Sequence, residues 1–387
     1  MAEIRCGVYG SFFGSEDVTL YRENIAFVSS GLHGNCTAAA CDDSEAGKIL
    51  IADTRGRRPI VQAALLTNGV PTGFRPHGIF LHNASNRLFA ISHNTIDEEE
   101  SIVVFDVIAN ETVPAALPSL SFRFQLTSNA FPWLPTRCGW LLSDLVVVDS
   151  VELLATQWGP RYDGNSTQCP EANNMTDTYP LWRCRWSSAL VSEGAAGVRI
   201  PALCSPIRWP GPNVGNGGNL NGIALSGADR SRPFVWVNEL NARRLWRVHR
   251  GGHGVWSGTS YSFLQLPHWV DNVELDDASN ELTMGLIDNR PDDGYGGEVS
   301  AAVAHDSALG YAEPQVVMRG QVRGYVTSSA VATGRYRILG SAVATGLQIC
   351  EMPEVMSTPE DPEQGSGDLE REGRRREAAG RGALMPE

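Results

Sequence analysis

Lysine is almost missing from this chain: Lys48 stands alone, and the other 30 of its 31 basic residues are arginine. Schiff-base or lysine-nucleophile chemistry therefore has a single candidate, in a stretch that reads as surface. No Gly-x-Ser-x-Gly elbow and no His-Glu-x-x-His pair occurs, which removes the usual signatures of serine and zinc hydrolysis. No apolar run approaches the roughly 20 residues of a membrane-spanning helix. The first residues, MAEIRCGVYGSF, lack the basic and apolar regions of a signal peptide. An excess of positive charge is missing too. The net charge is −13, with the arginines scattered rather than gathered into a stripe, which argues against a nucleic-acid partner. A cation or a neutral substrate suits such a chain better.

What is present points to β structure. Forty glycines and 22 prolines separate short β-branched and aromatic runs over 387 residues, a pattern of many short strands joined by tight turns. Eight cysteines sit among Asn-x-Ser/Thr acceptor sites at Asn35, Asn83, Asn110, Asn165 and Asn174. Together they point to an oxidising compartment and a secreted or secretory-pathway glycoprotein whose signal segment is not visible in these residues.

One phrase recurs along the chain: a polar residue, an apolar triplet, a turn and a second apolar strand. It reads ENIAFVSS from Glu23, PHGIFLHNASNRLFAISH from Pro76, SDLVVVDSVELLATQW from Ser143, LNGIALSGADRSRPFVWVNEL from Leu220 and VDNVELDDASNELTMGLID from Val270. A degenerate sixth copy, SSAVATGRYRILGSAV, starts at Ser328. The spacing is that of four-stranded blades with variable loops, so the expected fold is an all-β, six-bladed β-propeller over residues 1–352. Alternating polarity marks its strands as half-buried. An ordinary sandwich with similar hairpins is the competing reading. Residues 353–387 have almost no large apolar side chains and dense mixed charge, and are expected to form a disordered tail. A helical docking peptide is opposed there by glycine and proline.

In a propeller the innermost strands line a central channel, so oxygen ligands far apart in sequence can converge. The polar strand starts offer Glu16 and Asp17, Ser143 and Asp144, Asn221, and Asp271 with Asn272. Carboxylates and amides in that mixture suit calcium, which takes six to eight oxygen ligands, and no thiol or histidine cluster competes for zinc or copper. Singly, each such residue is an ordinary turn former. Their repetition at one place in the phrase is what carries the reading. His77, before one strand, and His93, at the end of the next, are candidate base and helper beside a metal-bound water. The plainer alternative is two histidines that only satisfy buried hydrogen bonds.

At this point GSEDVTLYRENIAFVSSGL, RPHGIFL, AISHN, NGIALS, WVDNVELD and LQICEM, in this order from about residue 6 to 352, resemble the landmarks of the paraoxonase/arylesterase family. The resemblance implies a calcium-dependent arylesterase or lactonase with two Ca2+ ions in the channel. One, catalytic, would be held by Glu16, Asn221, Asp271 and Asn272 with the position of Ser143. The other, structural, would use Asp17, Asp144 and the backbone carbonyl of Ile79. It also implies a His77–His93 dyad and a disulfide between Cys6 and Cys350 that ties the first segment to the last strand. The partner expected is a small-molecule ester or lactone, with peripheral membrane or lipid association left open and no transmembrane segment.

The chain departs from that pattern in places. Ser143 stands where the family carries asparagine, a shorter and weaker calcium ligand, and the adjoining TRCGWLL is inserted. Pocket positions near Trp158 and Ile287 are altered, so the family's substrate preference does not transfer. Cys169 with Cys184, and Cys36 with Cys41, are plausible pairs, although sequence does not fix connectivity. Two other readings stay open: a gluconolactonase or strictosidine synthase-like propeller, and a propeller that binds without catalysis.

Overall fold

The protein is described by a computed structural model covering residues 4–32, 35–37, 40–42, 47–94, 99–109, 116–128, 140–160, 181–189, 197–207, 220–226, 234–240, 242–251, 256–266, 269–276, 281–287, 300–307, 310–311, 315–319 and 327–352. The chain is all-β and folds into several sheets. Consecutive strands pair antiparallel through short turns rich in Asn, Asp and Ser, such as 83–86. Trp140–Asp149, Glu152–Pro160, Leu181–Arg185 and Leu203–Pro206 make one four-stranded sheet. Leu220–Leu225, Phe234–Glu239, Arg244–Arg250 and Trp256–Gln265 make the next. Trp269–Asp276, Glu281–Ile287, Ser300–Ser307 and the flanking Gly310–Tyr311 and Gln315–Arg319 make another. Pro76–His82, Arg87–Asn94, Glu99–Ile108 and Ser119–Thr127 lead a further sheet, with Leu66–Thr67 and Val198–Pro201 added in parallel to its outer strand.

The first and last expected units share one six-stranded sheet. Tyr336–Glu351 pairs with Ser329–Thr333 on one side and with the long Arg5–Arg22 strand on the other, and Arg5–Arg22 continues the sheet through Ile25–Ser30, Lys48–Asp53 and Ile60–Ala63. The first copy of the repeated phrase is thus out of phase with the others. IAFVSS is the second strand of its unit, and Glu16 and Asp17 lie on the strand before it.

Leading strands of successive units touch in a closed circuit: Arg5–Arg22 to Pro76–His82, then Trp140–Asp149, Leu220–Leu225, Trp269–Asp276, Ser329–Thr333 and back to Arg5–Arg22. Between neighbouring sheets lie apolar layers. Phe27, Ile51, Leu88 and Phe105 fill one, Phe89, Val104, Leu145 and Leu153 the next, and Leu154, Val235 and Trp246 another. Alternate residues of a strand therefore go to different layers, Leu88 and Ala90 to one side and Phe89 and Ile91 to the other. This corrects the expectation of half-buried strands. Ile25–Ser30 and Phe234–Glu239 are buried along their whole length, because a sheet flanked on both faces has no solvent side.

Close approach of the leading strands requires glycine at two positions. A Cβ on Gly78 would lie 2.5 Å from the Asp144 Cα and the Ser143 carbonyl oxygen, and one on Gly222 would lie 2.5 Å from the Val273 nitrogen and 2.6 Å from the Asn272 Cα. His77-Gly78-Ile79 and Asn221-Gly222-Ile223 are the same device used twice.

Cys6 and Cys350 face each other across the Arg5–Arg22 and Tyr336–Glu351 pair and are disulfide-bonded, closing a sequence separation of 344. Cross-linking so long a loop is worth about 5 kcal/mol in the chain-entropy picture. Cys184 bonds to Cys204 rather than to the expected Cys169. The reason is register: antiparallel pairing of Leu181–Arg185 with Leu203–Pro206 sets Cys184 directly opposite Cys204. Cys169 lies outside the described residues, as does the tail expected over 353–387. Cys36 and Cys41 are opposite each other in the Asn35–Thr37/Ala40–Asp42 hairpin. Among the described residues no helix is long and apolar enough to cross a membrane.

Gly222→Ala is expected to lower unfolding stability by about 1–3 kcal/mol, the cost of forcing a methyl against a packed backbone. Denaturant unfolding measures it; an unchanged midpoint and slope would contradict the close approach.

Candidate active site

Polar residues of the leading strands are brought together and buried, although Glu16 and Asp17 lie well inside Arg5–Arg22, and Ser143 and Asp144 inside Trp140–Asp149, rather than at the strand starts expected. Glu16, Asp17, His77, Ser143, Asp144, Asn221, Asp271 and Asn272 are each less than a tenth exposed. They are held by a repeated scheme. Asp17 Oδ2 accepts the Ile79 N–H at 2.7 Å and its Oδ1 accepts the Val18 N–H at 2.9 Å; Asp144 Oδ2 accepts the Ile223 N–H at 2.8 Å and its Oδ1 the Leu145 N–H at 2.7 Å. Each aspartate thereby clips its own strand to the next one in the circuit. Second strands add hydroxyls: Ser29 Oγ accepts the Asp17 N–H at 2.9 Å, and Thr156 Oγ1 accepts the Asp144 N–H at 3.0 Å.

The acids oppose one another in a dry place. Burial pushes Asp17 up to about 7, with the Glu16 charge adding to the rise and the Ile79 and Val18 N–H groups working against it. Asp144 is raised well above the ordinary carboxylate range by burial and then by the Asp17 charge. Asp271 is raised likewise by burial and then by Glu16. For His77, burial works against the charged ring, yet the Glu16 charge and hydrogen bond outweigh it and the net shift is upward. Acids crowded this way need either protons or a cation.

The side chains suit a hard cation. Glu16 and Asp271 supply carboxylates, Asn221 and Asn272 supply amides, and Ser143 a hydroxyl. Both polar atoms of the Asn272 amide are buried and meet no hydrogen-bonding partner, a costly state that a cation at Oδ1 would relieve. Ser143 Oγ donates to Asn221 Oδ1, and Asn221 Nδ2 donates to Asp271 Oδ1, so these three ligand candidates are already linked across their strands. Among the described residues no three His, Cys, Asp or Glu side chains are grouped to enclose one ion.

The histidines meet at one edge of this cluster. His77 Nε2 is 3.1 Å from Glu16 Oε2, and His77 Nδ1 is 2.8 Å from His93 Nε2 and 3.2 Å from the Leu142 carbonyl oxygen. Turn-linked antiparallel strands bring them there, the His93 N–H being held by the Arg75 carbonyl at 3.0 Å. A fourth member was not legible in the sequence. Glu100, directly across the hairpin from His93, places Oε1 2.7 Å from His93 Nδ1. It ends an acidic run, DEEE, that reads as a solvated loop; only the pairing register turns it inward. Side chains of Trp158 and Ile287 fall outside the described residues.

No family model matches the chain. Serum paraoxonase/lactonase 3 of Homo sapiens is 25% identical over 298 residues, which cover 74% of this chain and 72% of the relative. Serum paraoxonase/arylesterase 1 of Homo sapiens is 23% identical over 285 residues, covering 73% and 68%, and serum paraoxonase/arylesterase 2 of Gallus gallus is 22% identical over 280, covering 71% and 67%. These relatives bear out the resemblance to the paraoxonase/arylesterase family. Among solved structures, the periplasmic gluconolactonase of Pseudomonas aeruginosa aligns over 90% of this chain and 99% of its own, at 15% identity and a TM-score of 0.47. The soluble aldose sugar dehydrogenase of Escherichia coli aligns over 91% and 100%, at 13% identity and a TM-score of 0.46.

Every resolved shift in the cluster is upward, so in the presence of a chelator the folded chain holds more protons than the unfolded one from about pH 4 through about pH 7. Stability is then lost as pH rises through that window. Thermal unfolding with chelator is expected to occur at lower temperature at pH 8 than at pH 5, and added calcium to restore more of it at pH 8. Equal unfolding temperatures at both pH values would contradict the buried, mutually repelling acids.

Proposed function

We propose that residues 1–352 form a six-bladed β-propeller whose central channel holds two calcium ions, and that the chain hydrolyses aryl esters or lactones there, with residues 353–387 as a disordered tail. The circuit of six leading strands supports the blade count. The observation that carries the function is the meeting of His77 with Glu16: an imidazole nitrogen stands beside the buried carboxylates and amides instead of being spent on structure alone.

The first ion would be held by Glu16, Ser143, Asn221, Asp271 and Asn272, and the second by Asp17, Asp144 and the Ile79 carbonyl. The chemistry a bound calcium supplies is polarisation of the carbonyl and compensation of the charge that develops on its oxygen. The rest falls to the chain. His77 Nε2 removes a proton from the attacking water as its oxygen bonds to the carbonyl carbon. His93 holds the other side of the His77 ring and shares its charge. When the carbon–oxygen bond to the leaving group breaks, the proton held on His77 returns to that oxygen, giving acid and alcohol, or a hydroxy acid from a lactone. Burial of the dyad keeps competing water out and strengthens each of these contacts.

The names of the curated relatives, lactonase and arylesterase, support this substrate class. The disulfides Cys6–Cys350 and Cys184–Cys204 support an oxidising, secretory location. A second reading, a calcium-stabilised propeller that binds without catalysis, is favoured by one observation. Ser143 Oγ, at a catalytic-ligand position, is already engaged with Asn221.

Two substitutions separate these readings. Asp271→Ala is expected to abolish both calcium retention and hydrolysis of a panel of aryl esters and aliphatic lactones, while His77→Gln lowers kcat by about 10²–10⁴-fold with calcium retained. Hydrolysis that persists unchanged in chelator would overturn the proposal, and two bound ions without hydrolysis of any panel member would establish the binding protein. Ser143→Asn, which supplies an amide oxygen in place of the hydroxyl, is expected to raise calcium affinity, as read by calorimetric titration. An unchanged affinity would remove Ser143 from the ligand set.

A further inference from the structure

Beyond the dyad, the geometry points to Glu100 as the positioning residue that fixes where both histidines carry their protons, leaving His77 Nε2 as the basic atom that faces Glu16. This rests on the hydrolytic reading above and deepens it. Glu100 is buried, and each of its oxygens meets a donor. Oε2 accepts the Leu142 N–H at 3.2 Å, and Oε1 lies 2.7 Å from His93 Nδ1. A carboxylate only accepts, so His93 Nδ1 carries a hydrogen and His93 Nε2 of the neutral ring presents a lone pair.

The next contact follows from that. His77 Nδ1, 2.8 Å from His93 Nε2, must be the donor in that pair. A second acceptor makes the same demand independently: the Leu142 carbonyl oxygen, 3.2 Å from His77 Nδ1, accepts only. With Nδ1 held protonated, the nitrogen of His77 left to gain or lose a proton is Nε2, which when protonated donates to Glu16 Oε2 3.1 Å away and when stripped is the ring's one lone pair. The Leu142 peptide thus brackets the row, its N–H holding Glu100 and its C=O holding His77. Glu16, His77, His93 and Glu100 form one buried chain of contacts running from the acid cluster to the hairpin.

Glutamine at position 100 breaks this assignment without changing size. It has one acceptor where two donors, the Leu142 N–H and His93 Nδ1–H, must be met. If its NH2 turns to His93, the imidazole reverses its tautomer, Nε2–H points at His77 Nδ1, and the proton of His77 moves to Nε2, where a base is needed. If its oxygen turns to His93, an N–H confronts an N–H at Leu142.

The test compares wild type, Glu100→Gln, His93→Gln and the double variant, all calcium-loaded, after thermal unfolding has verified that each is folded. Glu100→Gln is expected to lower kcat about 10- to 100-fold with KM and calcium affinity unchanged, and the double variant to lose no more than His93→Gln alone, because both act through one histidine. Wild-type kcat in Glu100→Gln, or losses that multiply in the double variant, would overturn the role. An activity-independent reading accompanies this. Imidazole nitrogen NMR of the wild-type chain, with His93 assigned by its loss in His93→Gln, is expected to show the neutral His93 ring protonated at Nδ1. Protonation at Nε2 would overturn the inference whether or not the protein hydrolyses anything. A wild-type chain inert toward every ester and lactone, with His93 protonated at Nδ1, would instead leave Glu100 in place and sink the hydrolytic reading.

Discussion

Placing several carboxylates in one dry volume is the constraint on which the rest of the structure depends. Glu16, Asp17, Asp144 and Asp271 come from distant parts of the sequence and are buried within reach of one another's charge. Peptide N–H groups offset a part of the cost, two to Asp17 and two to Asp144, but burial still wins and drives their protonation upward. Such a centre is unfavourable for a bare polypeptide. It becomes reasonable when the acids, the Asn272 amide that lacks a partner and the neighbouring His77 are regarded as one site with a positive occupant.

The periphery answers to that centre. Leading strands must approach closely to gather their polar residues, which is why glycine follows His77 and Asn221. Sheets radiating from closely spaced strands are covered on both faces, so their apolar residues are shared out between two layers. The first and last segments share a sheet, stapled by Cys6–Cys350, so the circuit has no open end to fray. The disulfide thus ties the strand that carries Glu16 and Asp17 to the last strand of the chain.

Much of this was legible in the sequence because a ring of similar units puts each unit's first polar residue in a similar environment. Repetition in space became repetition in the phrase, and Asp144, Asn221 and Asp271 could be picked out by their place in it, whereas Asp17 lies on the strand before the first copy. Other features depended on register, which the phrase does not carry. Cys184 could have met any of several cysteines, and its facing position to Cys204 is settled only by strand pairing. Glu100 was hidden for the same reason, one acid in a run of four, distinguished by standing opposite His93. The polarity pattern misled in one respect: alternation suggests one wet face, whereas strands such as Ile25–Ser30 have none.

Ser143 remains the residue on which the balance between a hydrolase and a binding protein turns, since its hydroxyl both occupies a ligand position and is tied to Asn221. The centre itself can be examined without reference to any substrate. The most direct measurement is the metal content of the chain purified without chelator, by elemental mass spectrometry against protein concentration. Two calcium ions per chain are predicted; a folded chain at neutral pH carrying no bound divalent cation would contradict the central claim that the buried acids are balanced by metal.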